Sequence, residues 1–225
     1  MIVRKNLKFT QLAFYLWKSM TYFILLSVVV YVFHVEFGFY QLSIPFNAVA
    51  TLSTALAIYL GFKNNSAYDR WWEGRKIWGM LVNYSRAWGR EVLTLIIPGD
   101  VSDSAQVMTV QRRLIYRHIA FVHALRVFLR KHNDYNGPRE KELVEGRNGY
   151  EDIREFVSAE EYEEVLSKKN PPNYLNKIQG EDLLAAYKKG YISDFRYVQL
   201  SETLAEFNNH QGMSERIKNT PLPRA

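Results

Sequence analysis

Two apolar runs occupy the first 62 residues, and rows of helical period fill most of the remaining chain. The first run, Ser19–Phe33, reads as the core of a helix over about Lys18–Phe37. The second carries no formal charge anywhere between Glu36 and Lys63. A stretch of about twenty such residues is long enough to cross a bilayer. Pro45 suits the first turn of this second helix, where a missing N–H costs nothing. Asn47, Thr51, Ser53 and Thr54 lie inside the span, and polar groups at that depth usually face protein or a water-filled path.

Beyond Lys63 the helical pattern continues without proline to about Ile97, with Ile77, Met80, Leu81, Tyr84, Trp88 and Val92 at helical spacing. Pro98-Gly99-Asp100 ends it. A second amphipathic helix is predicted over Ser104–Lys131, with Leu114, Phe121, Leu125 and Phe128 on its apolar side. Residues 132–150 read as a charged loop with a short helix, and an acidic helix comes next over about 151–168. Asn170-Pro171-Pro172-Asn173 punctuates the chain before a helix over about 174–188 that ends at Gly190. Ser193 then has the position of an N-cap for a last helix reaching about Lys218. No strand pattern, repeat or low-complexity tract appears, so the expected fold is all-α.

Charge gives the orientation. Arg4, Lys5, Lys8 and Lys18 precede the first span, and Lys63, Arg70, Arg75 and Lys76 come after the second, while the turn at Gly38–Ser43 holds no basic residue. The positive-inside rule places the N-terminus and everything after Lys63 in the cytoplasm. The expected organisation is therefore a transmembrane hairpin over 1–62, with an interfacial stretch at residues 5–18, and a cytosolic helical region over 63–225 in which the second helix continues into a bundle. A late start and the lack of a small-residue cleavage pattern favour a retained first membrane helix over a signal peptide. The net charge of +6 suits a cytoplasmic membrane face or an acidic partner. With no cysteine in the 225 residues, disulfide and thiolate chemistry are excluded.

Asn47, Thr51, Thr54, Ile58 and Phe62 are spaced by four, three, four and four residues, which puts them on one helix face. That face is polar at its outer end and apolar at its inner end. Repeated around an axis it would form a wet vestibule over a hydrophobic neck, and Thr54 to Phe62 would span about 12 Å. Such necks gate by dewetting. The competing view is that Ile58 and Phe62 pack on the first helix while the threonines bond to their own backbone. Just past the span, Asp69, Arg70, Glu73 and Arg75 stand among Trp71, Trp72 and Trp78. They read either as an ion-pair belt between subunits or as an aromatic interface anchor with solvated charges.

Enzyme signals are poor. His118 and His123 are five apart, the wrong spacing for two ligands on one helix face. Glu160, Glu161, Glu163 and Glu164 read as a solvated acidic face, and no phosphate loop, serine elbow or HExxH is present. No catalytic residue, metal site or cofactor is assigned. Arg112, Arg113, Arg117, Arg126 and Arg130 share a helix with apolar residues and make at most a weak nucleic-acid patch, so no nucleic-acid partner is expected.

The run LGFKNNSAYDRWWEGRKIWG, Leu60–Gly79, resembles the bestrophin family, particularly its bacterial and plant-like branch. MIVRKN at the start, NPPN at 170–173, ISDFRY at 192–197 and SERIKNTPLP at 214–223 extend the likeness in order along the chain. The resemblance implies a pentameric ion channel with one axial pore. Animal members conduct chloride under calcium control, whereas a bacterial relative favours cations. Phe62 is then similar to the innermost neck ring, with Ile58 and Thr54 as the next two, and Phe195 to a second, cytosolic constriction. Thr54 is polar where the family usually places an apolar residue, which implies weaker dewetting there. The Arg-Phe-Pro tripeptide of animal members is absent, in keeping with the bacterial branch. The family continues past a TPLP-like segment into two further membrane helices, which implies that the chain ending at Ala225 is C-terminally truncated.

The expected function is passive passage of small inorganic ions, chloride or monovalent cations, by a homo-oligomer held in membrane lipid at a bacterial inner membrane. The alternative is a membrane-anchored helical scaffold that binds a cytosolic protein and has no pore.

Overall fold

The computed structural model describes residues 9–38, 45–130 and 149–220. The described residues contain helices and no strand: α1 Phe9–Val35, α2 Phe46–Leu95, α3 Ser104–Arg130, α4 Ala159–Ser167, α5 Pro171–Lys188 and α6 Asp194–Asn219, with short 3₁₀ turns at Val101–Asp103 and Tyr150–Ile153. The loop expected over 132–150 lies almost wholly outside the described residues, as do most of the turn at Gly38–Ser43, the opening MIVRKN and the end of SERIKNTPLP.

Helix ends obey local chemistry. α1 starts at Phe9, so the part of the interfacial stretch that is described joins the first helix without a break. Pro45 stands one position ahead of α2, and its carbonyl accepts from Ala48 N–H at 3.0 Å. α2 is a single helix of 50 residues. The Gln111 amide closes its far end by donating to the Ile96 carbonyl at 2.9 Å. The NPPN segment begins a helix: Asn170 caps α5, accepting from Asn173 N–H at 3.2 Å, while Pro171 and Pro172 fill the first turn, where no N–H is needed. α5 closes with Gly190 at φ +76°, and the Gly190 and Tyr191 N–H groups reach the Tyr187 and Ala186 carbonyls at 2.9 and 3.0 Å. This paired C-cap needs a left-handed residue, which glycine supplies without a Cβ penalty. Ser193 holds the N-cap position of α6 with extended backbone, but its side chain makes no capping bond.

The acidic helix expected over 151–168 is instead a 3₁₀ turn and the shorter α4, with Ser158 accepting from Glu161 N–H at its start. Ser158 offers the backbone a cap, which is why the helix starts there and not at Glu151.

The chain divides into two compact units, Met1–Phe62 and Lys63–Ala225. In the first, the apolar windows of both long helices are wholly unburied; each is long and apolar enough to cross a membrane. In the second, the core is built by Leu81, Trp88 and Val92 of α2, Leu114, Phe121 and Leu125 of α3, Leu175 and Leu183 of α5, and Leu200, Leu204 and Phe207 of α6. The centre is aromatic. His118 lies 4.3 Å from Phe207 and 5.8 Å from Phe121, ring centre to ring centre, and Trp88 meets Phe207 edge-on at 6.0 Å. His118 Nε2 sits 2.8 Å from the Ser85 hydroxyl, which is within reach of the Leu81 carbonyl at 2.7 Å. With the serine proton on that carbonyl, Nε2–H is the donor to Ser85 and the imidazole is neutral.

Candidate functional site

Asn47, Thr51, Thr54, Ile58 and Phe62 fall within the unbroken α2, which keeps them on one face by helical period. Phe62 is 70% exposed and Ile58 56% exposed, so neither is packed away against α1. The two threonines do bond back: Thr51 Oγ1 donates to the Asn47 carbonyl at 2.8 Å and Thr54 Oγ1 to Ala50 at 2.9 Å. Each hydroxyl keeps acceptor capacity on the open side of the helix. Between Phe46 and Phe62 only Ala50 is other than exposed, so the five residues are set apart by pattern and not by burial.

In the second unit the six belt residues separate into two groups. The Arg70 guanidinium donates to the Thr220 carbonyl at 2.6 Å and to that of Ile217, the last turn of α6. A cation at a helix C-terminus meets both unbonded carbonyls and the negative dipole end. Glu73 accepts from Arg216 at 2.6 Å on the same turn. Arg70 and Glu73 thus both pair within the chain, at the last turn of α6. The signal was in SERIKNT, a helix end with exposed carbonyls, but sequence spacing could not bring position 70 to position 217. Asp69, Trp71, Trp72 and Arg75 stay exposed. Tyr68, Trp71 and Trp72 form one ring cluster with centres 5.7 to 6.3 Å apart, and Arg75 lies 5.8 Å from the Trp71 ring. Phe195, in the first turn of α6, is 90% exposed.

The other candidates resolve into packing. Arg117 joins Glu161 at 2.6 Å and also pairs with Asp182, which Arg113 meets at 2.7 Å. Those carboxylates hold the Arg117 guanidinium above its ordinary range although burial opposes it. Arg126 pairs with Asp152. The arginine patch on α3 is therefore largely an intramolecular ion network, and Glu161 belongs to that network, not to a freely solvated face. Glu91 escaped notice in the sequence. It is buried on α2 and accepts from Thr203 at 2.7 Å and Gln199 at 3.3 Å, two α6 residues one helical turn apart.

A family model for bacterial and fungal bestrophins matches residues 10–225. The chain belongs to the bestrophin family. Voltage-dependent anion channel-forming protein YneE of Escherichia coli K12 is 34% identical over 174 residues, covering 77% of this chain and 49% of that protein. A relative from Mesorhizobium japonicum, also named a voltage-dependent anion channel-forming protein, is 34% identical over 193 residues, 86% of this chain and 53% of its own length. This bestrophin chain spans about half the length of the curated relatives it matches. Among solved structures, a bacterial bestrophin homolog from Klebsiella pneumoniae superposes with a TM-score of 0.69 at 25% identity, over 88% of this chain and 64% of its own. A variant of that homolog gives 0.73 at 23% identity, over 92% of this chain and 69% of its own. The helical fold is that of a bacterial bestrophin.

Proposed function

We propose that this bestrophin chain is a pore-forming channel subunit that passes small ions, anions foremost, through one axial pore of a pentamer. The observation that carries the proposal is the uncharged, exposed first part of α2, with its face graded from Asn47 and Thr51 to Ile58 and Phe62. Asn47 and Thr51 line the outer mouth, Thr54, Ile58 and Phe62 form the neck, and Phe195 forms the cytosolic aperture. The hairpin 1–62 lies in a bacterial inner membrane with its N-terminus in the cytoplasm, and the helices after Lys63 are cytosolic. Trp71, Trp72 and Arg75 form the belt where subunits or lipid headgroups meet the helix. The names of the relatives support anions; the charge-free neck has no sign of its own.

The test is a reversal potential. The native protein, reconstituted in a planar bilayer under a KCl gradient, is expected to give a current reversing near the chloride equilibrium potential. Reversal at the potassium potential would overturn anion preference, and absence of current from folded protein would overturn the channel.

The back-bonded hydroxyls of Thr51 and Thr54 are what favours the scaffold reading, because such groups are satisfied without a pore. Replacing Asn47 and Thr51 together by leucine separates the two. In a channel the double variant is expected to cut ion flux several-fold by drying the outer mouth; in a scaffold the membrane protein would assemble and bind its partner unchanged.

A further inference from the structure

Past the membrane span, α2 turns two different sides to its surroundings. Its buried residues, Ile77, Leu81, Trp88 and Val92, hold it to the bundle. Asp69, Lys76, Asn83 and Arg90 recur every seven residues away from that buried side, and all four are exposed. The same interval leads back to Phe62, seven residues before Asp69. A seven-residue row drifts by only about 20° per step on a straight helix, so it keeps to one side over this length.

The charges on this row are not neutralised by the fold. The arginines at 113, 117, 126 and 216 each have a carboxylate partner. Lys76 has none among the described residues; its ammonium lies 5.8 Å from the Trp72 ring. Arg90 is 71% exposed, and its nearest carboxylate, Glu91 at 3.7 Å, is buried and already accepts from Thr203 and Gln199. Asp69 is exposed and has no basic partner among the described residues. Glu73, three residues before Lys76, is the carboxylate in reach along the helix, but it pairs with Arg216 instead.

We propose that Asp69, Lys76, Asn83 and Arg90 line the cytosolic side of the conduction path and set its ion selectivity, Asp69 disfavouring anions close to the neck and Lys76 and Arg90 drawing them further in. The inference rests on the channel reading. Every subunit repeats the row, so each position becomes a ring of like charge whose potential concentrates counter-ions inside a narrow, low-dielectric passage. The inner rings carry the positive sign, which gives the net charge of +6 a place to act on permeating ions.

The test is the chloride-to-potassium permeability ratio of the full-length channel in bilayers, measured for the wild type, Asp69→Asn, Lys76→Gln with Arg90→Gln, and Lys188→Gln as a charge change at the end of α5. The ratio is expected to rise several-fold in Asp69→Asn, fall several-fold in the double variant and stay put in Lys188→Gln. The double variant's loss of anion conductance should be large at about 0.01 M salt and small at about 1 M, where the Debye length falls from about 30 Å to about 3 Å. A further variant, Lys76→Cys, should lose conductance and regain it when a cationic thiol reagent is added to the recording chamber, which a structural role for Lys76 would not produce. A conducting wild type whose ratio is indifferent to all three row positions would overturn this inference alone. A wild type that carries no current would overturn the channel reading and this inference with it.

Discussion

Replacing Phe62 by alanine is expected to raise single-channel conductance several-fold. The benzyl group is the bulkiest on the proposed neck face, and at 70% exposure it is not a keystone of its own unit, so truncation should leave the fold intact. A hydrophobic constriction resists ions because water leaves it, and the resistance depends steeply on radius and on how apolar the wall is. Each subunit's truncation widens the same ring, so the change multiplies around the axis. Ile58 lies one turn away, about 6 Å along the helix, and Phe62→Ala with Ile58→Ala should exceed either alone. Thr54 marks the other limit: its hydroxyl hydrates the third ring, so Thr54→Leu should lower conductance by extending the dry zone. Single-channel recording of these variants beside the wild type decides the matter. Conductance in Phe62→Ala equal to wild type would remove Phe62 from the neck.

The helices were legible because their signals are local. The third helix was expected from Ser104 to Lys131 and runs from Ser104 to Arg130; the last was expected to reach Lys218 and reaches Asn219. Periodicity, Pro98-Gly99 and Gly190 supplied those limits without reference to anything distant. Errors gathered where local groups compete. Two consecutive prolines read as a break, although after an asparagine cap they open a helix. The site divides in the same way. The stripe from Asn47 to Phe62 is a statement about one helix, so spacing alone could frame it. The partners of Arg70, Glu73 and Glu91 lie more than a hundred residues away in sequence, at or near α6, and no periodicity encodes them. Only the fold shows which carbonyls and side chains Arg70 and Glu73 meet.

The bundle should lose stability on acidification, and His118 should account for a defined part of the loss. Its ring sits among Trp88, Phe121 and Phe207, and burial pushes its pKa down from 6.5 to about 4. The unfolded chain therefore takes up this proton first as pH falls. Stability from this group is complete above about pH 6.5, declines between 6.5 and 4, and changes no further below. The window corresponds to about 3 kcal/mol at most, a large share of the ~5–15 kcal/mol that typical domains possess. His118→Leu should abolish that component while keeping the fold near neutral pH, because the Ser85 hydroxyl still reaches the Leu81 carbonyl and is not orphaned. Phe207→Ala, which opens a cavity beside the same ring, should instead cost about 3–5 kcal/mol at every pH. Thermal unfolding followed by tryptophan fluorescence at pH 7 and pH 5 distinguishes them: His118→Leu flattens the difference between the two midpoints, and Phe207→Ala lowers both together. The wild-type-minus-variant difference isolates His118 from every other group. An undiminished acid shift in His118→Leu would mean that this ring is not the group whose protonation loosens the core.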